Sequence, residues 1–283
     1  MKNTSKKTLM FLAVLAVLVG LFMIAAAPFL IQTSLDRVLT ELQVVSAEKP
    51  AYASGILLFS FAFPFYRGLI FIGGIILICL AVPISRGEEW TFPVACLASA
   101  FPSAGGMFMF MPYVSFVDGF PIPMIICFIG LLFFWTFILA RNVDKWQKWG
   151  QFLTMTFAGM LTTHAFIVGI GNFRMLLTRP GKPMYAGLGE WVLAWSQPIQ
   201  WICVILLFIA IFLLAARRPS GWWLSLICVI SLAAIDIPMQ IIRLTMSEST
   251  ALDYSYGLPV IIGLLIVLFM PKFKATLLNE TTQ

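Results

Sequence analysis

The chain has 283 residues, 61% of them apolar and only 11% charged, with a formal net charge of +6. A water-soluble domain carries about 25% charged residues, so this composition excludes one soluble core. It predicts an all-α polytopic integral membrane protein.

Lys2, Lys6 and Lys7 precede an apolar run over residues 8–31. A signal peptide shares the basic start and the small residues Ala25 to Ala27, but its apolar centre is shorter than this one, and Pro28 follows the alanines directly. The run reads as a retained first helix with its N-terminus in the cytoplasm. In residues 34–45, Leu35, Val38, Leu39 and Leu42 recur at helical spacing. That pattern fits an amphipathic helix along the outer surface or a packed helix within a loop. Residues 55–66 are apolar but too few to span a bilayer, Arg67 interrupts, and residues 68–85 resume. Two readings fit: a re-entrant piece within 34–66 followed by a spanning helix, or one long tilted helix.

The remaining spans fall at 91–112, 122–140, 150–171, 191–216, 222–244 and 255–271. That gives about eight transmembrane helices in a single domain over 1–283. With the N-terminus inside, eleven Lys and Arg residues fall on the cytoplasmic side and seven outside. The excess supports cytoplasmic N- and C-termini in the plasma (inner) membrane of a prokaryote. Three junctions, Arg86…Trp90, Arg141…Trp149 and Arg217…Trp222, share a rhythm. Basic residues on the inner side and an interfacial aromatic belt explain it without a repeat.

The five cysteines lie in apolar runs without a CxxC pair, so they read as small core residues. The single histidine, His164, excludes sites that need two His ligands. No Walker A, HExxH or GxSxG motif occurs, and the last helix carries no lysine for a retinal Schiff base. No metal, cofactor or catalytic residue is therefore expected.

The residues that stand out are polar ones inside apolar helices. Asp236, Gln240 and Arg243 lie at i, i+4 and i+7, on one face of the seventh span. An unpaired Asp in hydrocarbon costs about 2.5–3.5 kcal/mol. Pro238 also frees the carbonyl of Ala234 beside it. Counting about 1.5 Å per residue from the inner end of each outward helix, Asp236, His164 and Ser103 reach similar depth. Gln197 and Gln200 descend to comparable levels from the other side, and Glu190 enters the sixth span beside Trp191 and Trp195. These positions predict a polar cavity open toward the outer face or outer leaflet. Asp236, Arg243, Gln240, His164, Ser103, Gln197 and Glu190 are its candidate substrate-binding residues.

Each has a plainer reading. Asp236 and His164 are equally explained as interhelical bonds that fix packing, Arg243 as a side chain snorkelling to the interface, and the Ala95, Ser99, Ser103 stripe as a close helix contact. In the loop from Asn172 to Trp191, Arg174, Arg179 and Lys182 would attract an anionic group, or would simply be solvated. The run PSAGGMFMFMP, 102–112, packs or lines a hydrophobic slot. Three functions fit this pattern: a transporter, permease or channel component with an outward-facing polar site; a structural or assembly subunit of a membrane complex; or an intramembrane lipid- or quinone-binding enzyme. The expected partners are the lipid bilayer, a small-molecule or lipid ligand and other membrane proteins, with no role for nucleic acid.

Overall fold

A computed structural model of the chain describes residues 4–178, 187–246 and 252–278. Among them the structure is helical, without strands: α1 Lys6–Leu21, α2 Ala27–Glu48, α3 Ala53–Ser85, α4 Thr91–Phe116, α5 Pro123–Leu139, α6 Lys145–Thr178, α7 Gly187–Ala215, α8 Pro219–Met246, α9 Leu258–Phe269 and α10 Pro271–Leu277. Six helical segments are long and apolar enough to cross a membrane. The pair α9–α10, bent by 76°, would make a seventh, and α5 is a shorter apolar helix. Lys2, Arg179, Pro180, Gly181, Lys182 and Pro183 lie outside the described residues.

The helices run further than their apolar stretches. α1 and α2 form one continuous segment, Lys6–Glu48, joined by a single wide π turn at Phe22–Ala26. That turn comes just before Pro28, whose missing N–H and ring would disrupt a regular turn. The 34–45 stretch is therefore the upper part of the first helix rather than a surface helix. It buries Leu35, Val38 and Leu42. Residues 55–66 belong to α3, a single helix with Pro64 and Arg67 inside it. Arg67 is accommodated because its Nη1 donates to Gln32 Oε1 of α2 at 2.6 Å.

Sequence neighbours pack against each other, giving one group of α1 to α5 and another of α6 to α10; α4 touches both α6 and α7. Glycines set the closest approaches. A Cβ on Gly74 would lie 2.8 Å from the Gly20 carbonyl oxygen, and one on Gly130 would lie 2.8 Å from the Ser103 nitrogen.

The two ends of the bundle differ. At the end that holds the N-terminus, Arg141 lies 3.7 Å over the Phe92 ring and donates to Gln151 Oε1. Gln151 in turn donates to the Leu214 carbonyl, and Trp222 donates to the Leu268 carbonyl. These links close that end. Trp222 is buried while Trp90 and Trp149 are exposed, so the three Arg-to-Trp junctions are not equivalent in packing. At the opposite end Arg37 donates to the Tyr113 hydroxyl, Arg174 sits over Tyr52, and Arg243 pairs with Asp253 at 2.8 Å.

Candidate functional site

The site grows from α8. Its inward face carries Asp236, fully buried, and Ile237 on the next position is exposed. Two helices supply the groups that stabilise the carboxylate. From α6, His164 Nε2 lies 3.1 Å from Asp236 Oδ2. From α7, Gln200 Nε2 donates to Asp236 Oδ1 at 3.0 Å. The His164 contact is an ion pair when the imidazole is protonated and a hydrogen bond when it is neutral.

The network continues away from the carboxylate. Asn172 Nδ2 donates to Gln200 Oε1 at 3.0 Å and to Ser196 Oγ at 2.7 Å. Tyr254 Oη donates to Asn172 Oδ1 at 2.5 Å. Each amide thus points its donors along one direction, from Tyr254 through Asn172 and Gln200 to Asp236. Satisfying each buried polar group is what makes such a network tolerable in an apolar interior.

Gly257 completes the enclosure. It immediately precedes α9, and a Cβ there would run into the His164 imidazole, so the close approach needs a residue without a side chain. The imidazole side chain is 11% exposed. What exposure remains faces a cavity of about 900 Å3 between α6 on one side and α3, α4 and α5 on the other. Ser103 of α4 lines the same cavity, and so do Met107, Phe108 and Met111 from the 102–112 run. Tyr52, Arg174, Asp253 and Tyr256 stand at its far end.

The cavity is less polar than its composition suggests. Ser103 Oγ donates to the Ser99 carbonyl and Thr163 Oγ1 to the Gly159 carbonyl, each within its own helix. A hydroxyl that bonds back one turn presents mainly its carbon to the space beyond. Among the described residues no group of three His, Cys, Asp or Glu side chains is placed to hold a metal ion.

The seven candidate residues therefore divide. Asp236 and His164 touch, and Ser103 shares a cavity with His164. Gln240 and Arg243 share a face of α8 with Asp236 but serve other partners. Gln240 Oε1 accepts from the Tyr254 and Ser255 backbone N–H groups at 3.2 and 3.1 Å. Arg243 pairs with Asp253, which lies on the segment returning to α9. Gln197 is half-buried, and the inward positions on its helix are Ser196 and Gln200. Glu190 is exposed in the first turn of α7, where a negative charge complements the helix dipole.

Asn172, Ser196 and Tyr254 were missed. Asn172 had been placed just past a span ending at residue 171, whereas α6 continues to Thr178. The available signal was the spacing of Ser196 and Gln200, one turn apart on a single face.

No protein-family model, curated protein or solved structure matches this chain. The functional reading rests on geometry alone.

Proposed function

We propose that the chain is a multi-pass membrane protein acting as a transporter or permease component, with an outward-facing site for a small molecule or lipid. The observation that carries this reading is the cavity of about 900 Å3 with His164 at its wall and Asp236 bonded to the imidazole behind it. That volume lies within the range of about 300–1,000 Å3 for small-molecule sites, and ionisable residues inside a membrane protein mark pathways and relays more often than they serve packing alone. In this reading α5 and the α9–α10 pair also cross, giving eight spans with both termini in the cytoplasm. The membrane is the plasma (inner) membrane of a prokaryote.

A second reading, a lipid- or quinone-binding protein or enzyme, draws support from the sealed N-terminal end, where Arg141, Phe92, Gln151 and Leu214 interlock. A purely structural subunit would not need a cavity of this size.

Labelling separates the readings without knowledge of the ligand. In a variant lacking the five native cysteines, Ser103→Cys is treated with a membrane-impermeant maleimide from either side of oriented vesicles. Transport predicts labelling from both sides, since the cavity must open alternately. A binding protein predicts labelling from the outer side alone, and a packed structural subunit predicts none. A cysteine in the 86–90 turn reports orientation, with labelling from the cytoplasmic side expected.

A further inference from the structure

The shape of the cavity, its rim and its side opening together specify a ligand class. Along α6 its wall extends from Met155 to Met175. Twenty residues at about 1.5 Å each make it about 30 Å long. A space of that length suits an extended ligand better than a compact one. Its walls suit hydrocarbon: Met107, Phe108, Met111 and Ile167 line it, and the Ser103 and Thr163 hydroxyls turn back to their own helices.

The cavity also has a side. Phe128 of α5 and Met160 of α6 line it, and each is about half exposed, at 52% and 49%. Large side chains this exposed, on the two helices that border the cavity, leave room between α5 and α6. Gly159 lies at that gap, with nothing within 4 Å of where its Cβ would be. Trp135 Nε1, donating to Thr156 Oγ1 at 3.1 Å, ties the two helices together just below it. An opening of this kind faces acyl chains when the bundle is in a bilayer.

The far end has a different character. Arg174 and Tyr52 meet there, guanidinium over ring at 5.1 Å, beside Tyr256. The nearby carboxylate, Asp253, is paired with Arg243. A guanidinium has five N–H donors in a fork that matches carboxylate and phosphate oxygens, and it can engage an anion in addition to an existing partner.

We infer that the cavity takes a chain-shaped amphiphile with an anionic head, a carboxylate or phosphate monoester, which enters sideways between α5 and α6 and sets its head at Arg174. The inference rests on the reading of the cavity as a ligand site and adds what the ligand is. The bound chain lies against Met107 and Met111, and the head is held at the rim, where Tyr52 and Tyr256 line the same cavity.

The test uses the full chain in lipid nanodiscs of uncharged phosphatidylcholine. The probe is palmitate bearing a photoreactive diazirine on its chain. Palmitate, palmitoyl lysophosphatidate, hexadecanol and hexadecylamine compete with it. The anionic pair should compete at about tenfold lower concentration than the neutral and cationic pair, the ratio that one charge-assisted hydrogen bond of about 1.4 kcal/mol supplies. Whichever of palmitate and lysophosphatidate competes better identifies the head group. Arg174→Gln should erase the preference while labelling persists. Gly159→Leu places a side chain at the gap, where an added Cβ meets nothing within 4 Å, and should remove labelling at unchanged thermal stability or better.

Equal competition by all four amphiphiles, with Gly159→Leu still blocking, overturns the anionic-head inference and leaves the cavity as a ligand site. Full labelling of a folded Gly159→Leu protein overturns entry between α5 and α6, and no competable labelling of the unsubstituted protein overturns the cavity reading itself.

Discussion

The two faces of α6 are built on opposite principles. One face presents His164 and Asn172 to α7, α8 and Tyr254, where their polar contacts run from 2.5 to 3.1 Å and each partner is buried. The other presents Gly159 to space, with nothing within 4 Å of an added Cβ. One helix thus separates a locked half from an open one. The contrast teaches where strength and function should divide: stability should be concentrated on the bonded face, and tolerance to change on the cavity face.

Substitutions can break that contrast. The largest effect is expected from Asp236→Ala, which orphans His164 and Gln200 together. Leaving a buried hydrogen-bonding group unsatisfied costs about 1–3 kcal/mol for each such group, so the variant should unfold at clearly lower denaturant in a detergent titration. A wild-type-like midpoint would mean that the network does not hold the bundle together. Next comes Gly257→Ala, whose methyl must displace the imidazole. Overpacking costs about 1–3 kcal/mol, and the histidine ring resonances in an NMR spectrum should shift. Unmoved resonances would place His164 elsewhere.

Tyr254→Phe removes one hydroxyl at the end of the network and should cost about 1 kcal/mol, read as a modest fall in melting temperature. Gly159→Leu has the smallest effect and the opposite sign. Replacing a helix-interior glycine at an unobstructed site gains up to about 1 kcal/mol, so its melting temperature should hold or rise. A loss comparable with that of Tyr254→Phe would show that the open face is packed after all.

Much of this was legible in the chain itself. Composition and apolar runs gave the helices, because hydrocarbon leaves a backbone few alternatives. Asp236 and His164 could be paired in depth, since a uniform rise per residue converts sequence position into height. Partner choice could not be read. Arg243 and Asp236 share a helix face, but a side chain meets whatever the next segment brings, and Asp253 arrives on the return to α9. Helix ends were underestimated for a related reason. Asn172 is polar and sits past the apolar run, and only the interhelical bonds to Ser196 and Gln200 explain why α6 continues through it. Ser103 was read as a polar marker, yet its hydroxyl is spent on its own helix.

The continuous first segment has a mechanical consequence. Its 43 residues, Lys6–Glu48, would measure about 65 Å at helical rise, against about 40–45 Å for a whole bilayer with its head groups. Tilt cannot hide the difference. One end must stand in water, and Gln32, Asp36, Arg37 and Glu41 indicate which. The upper part of α2 therefore forms a fixed parapet above the lipid, braced through Arg37 to Tyr113 and through Gln32 to Arg67. Anything approaching that end of the protein from solution meets a rigid edge before it meets the membrane.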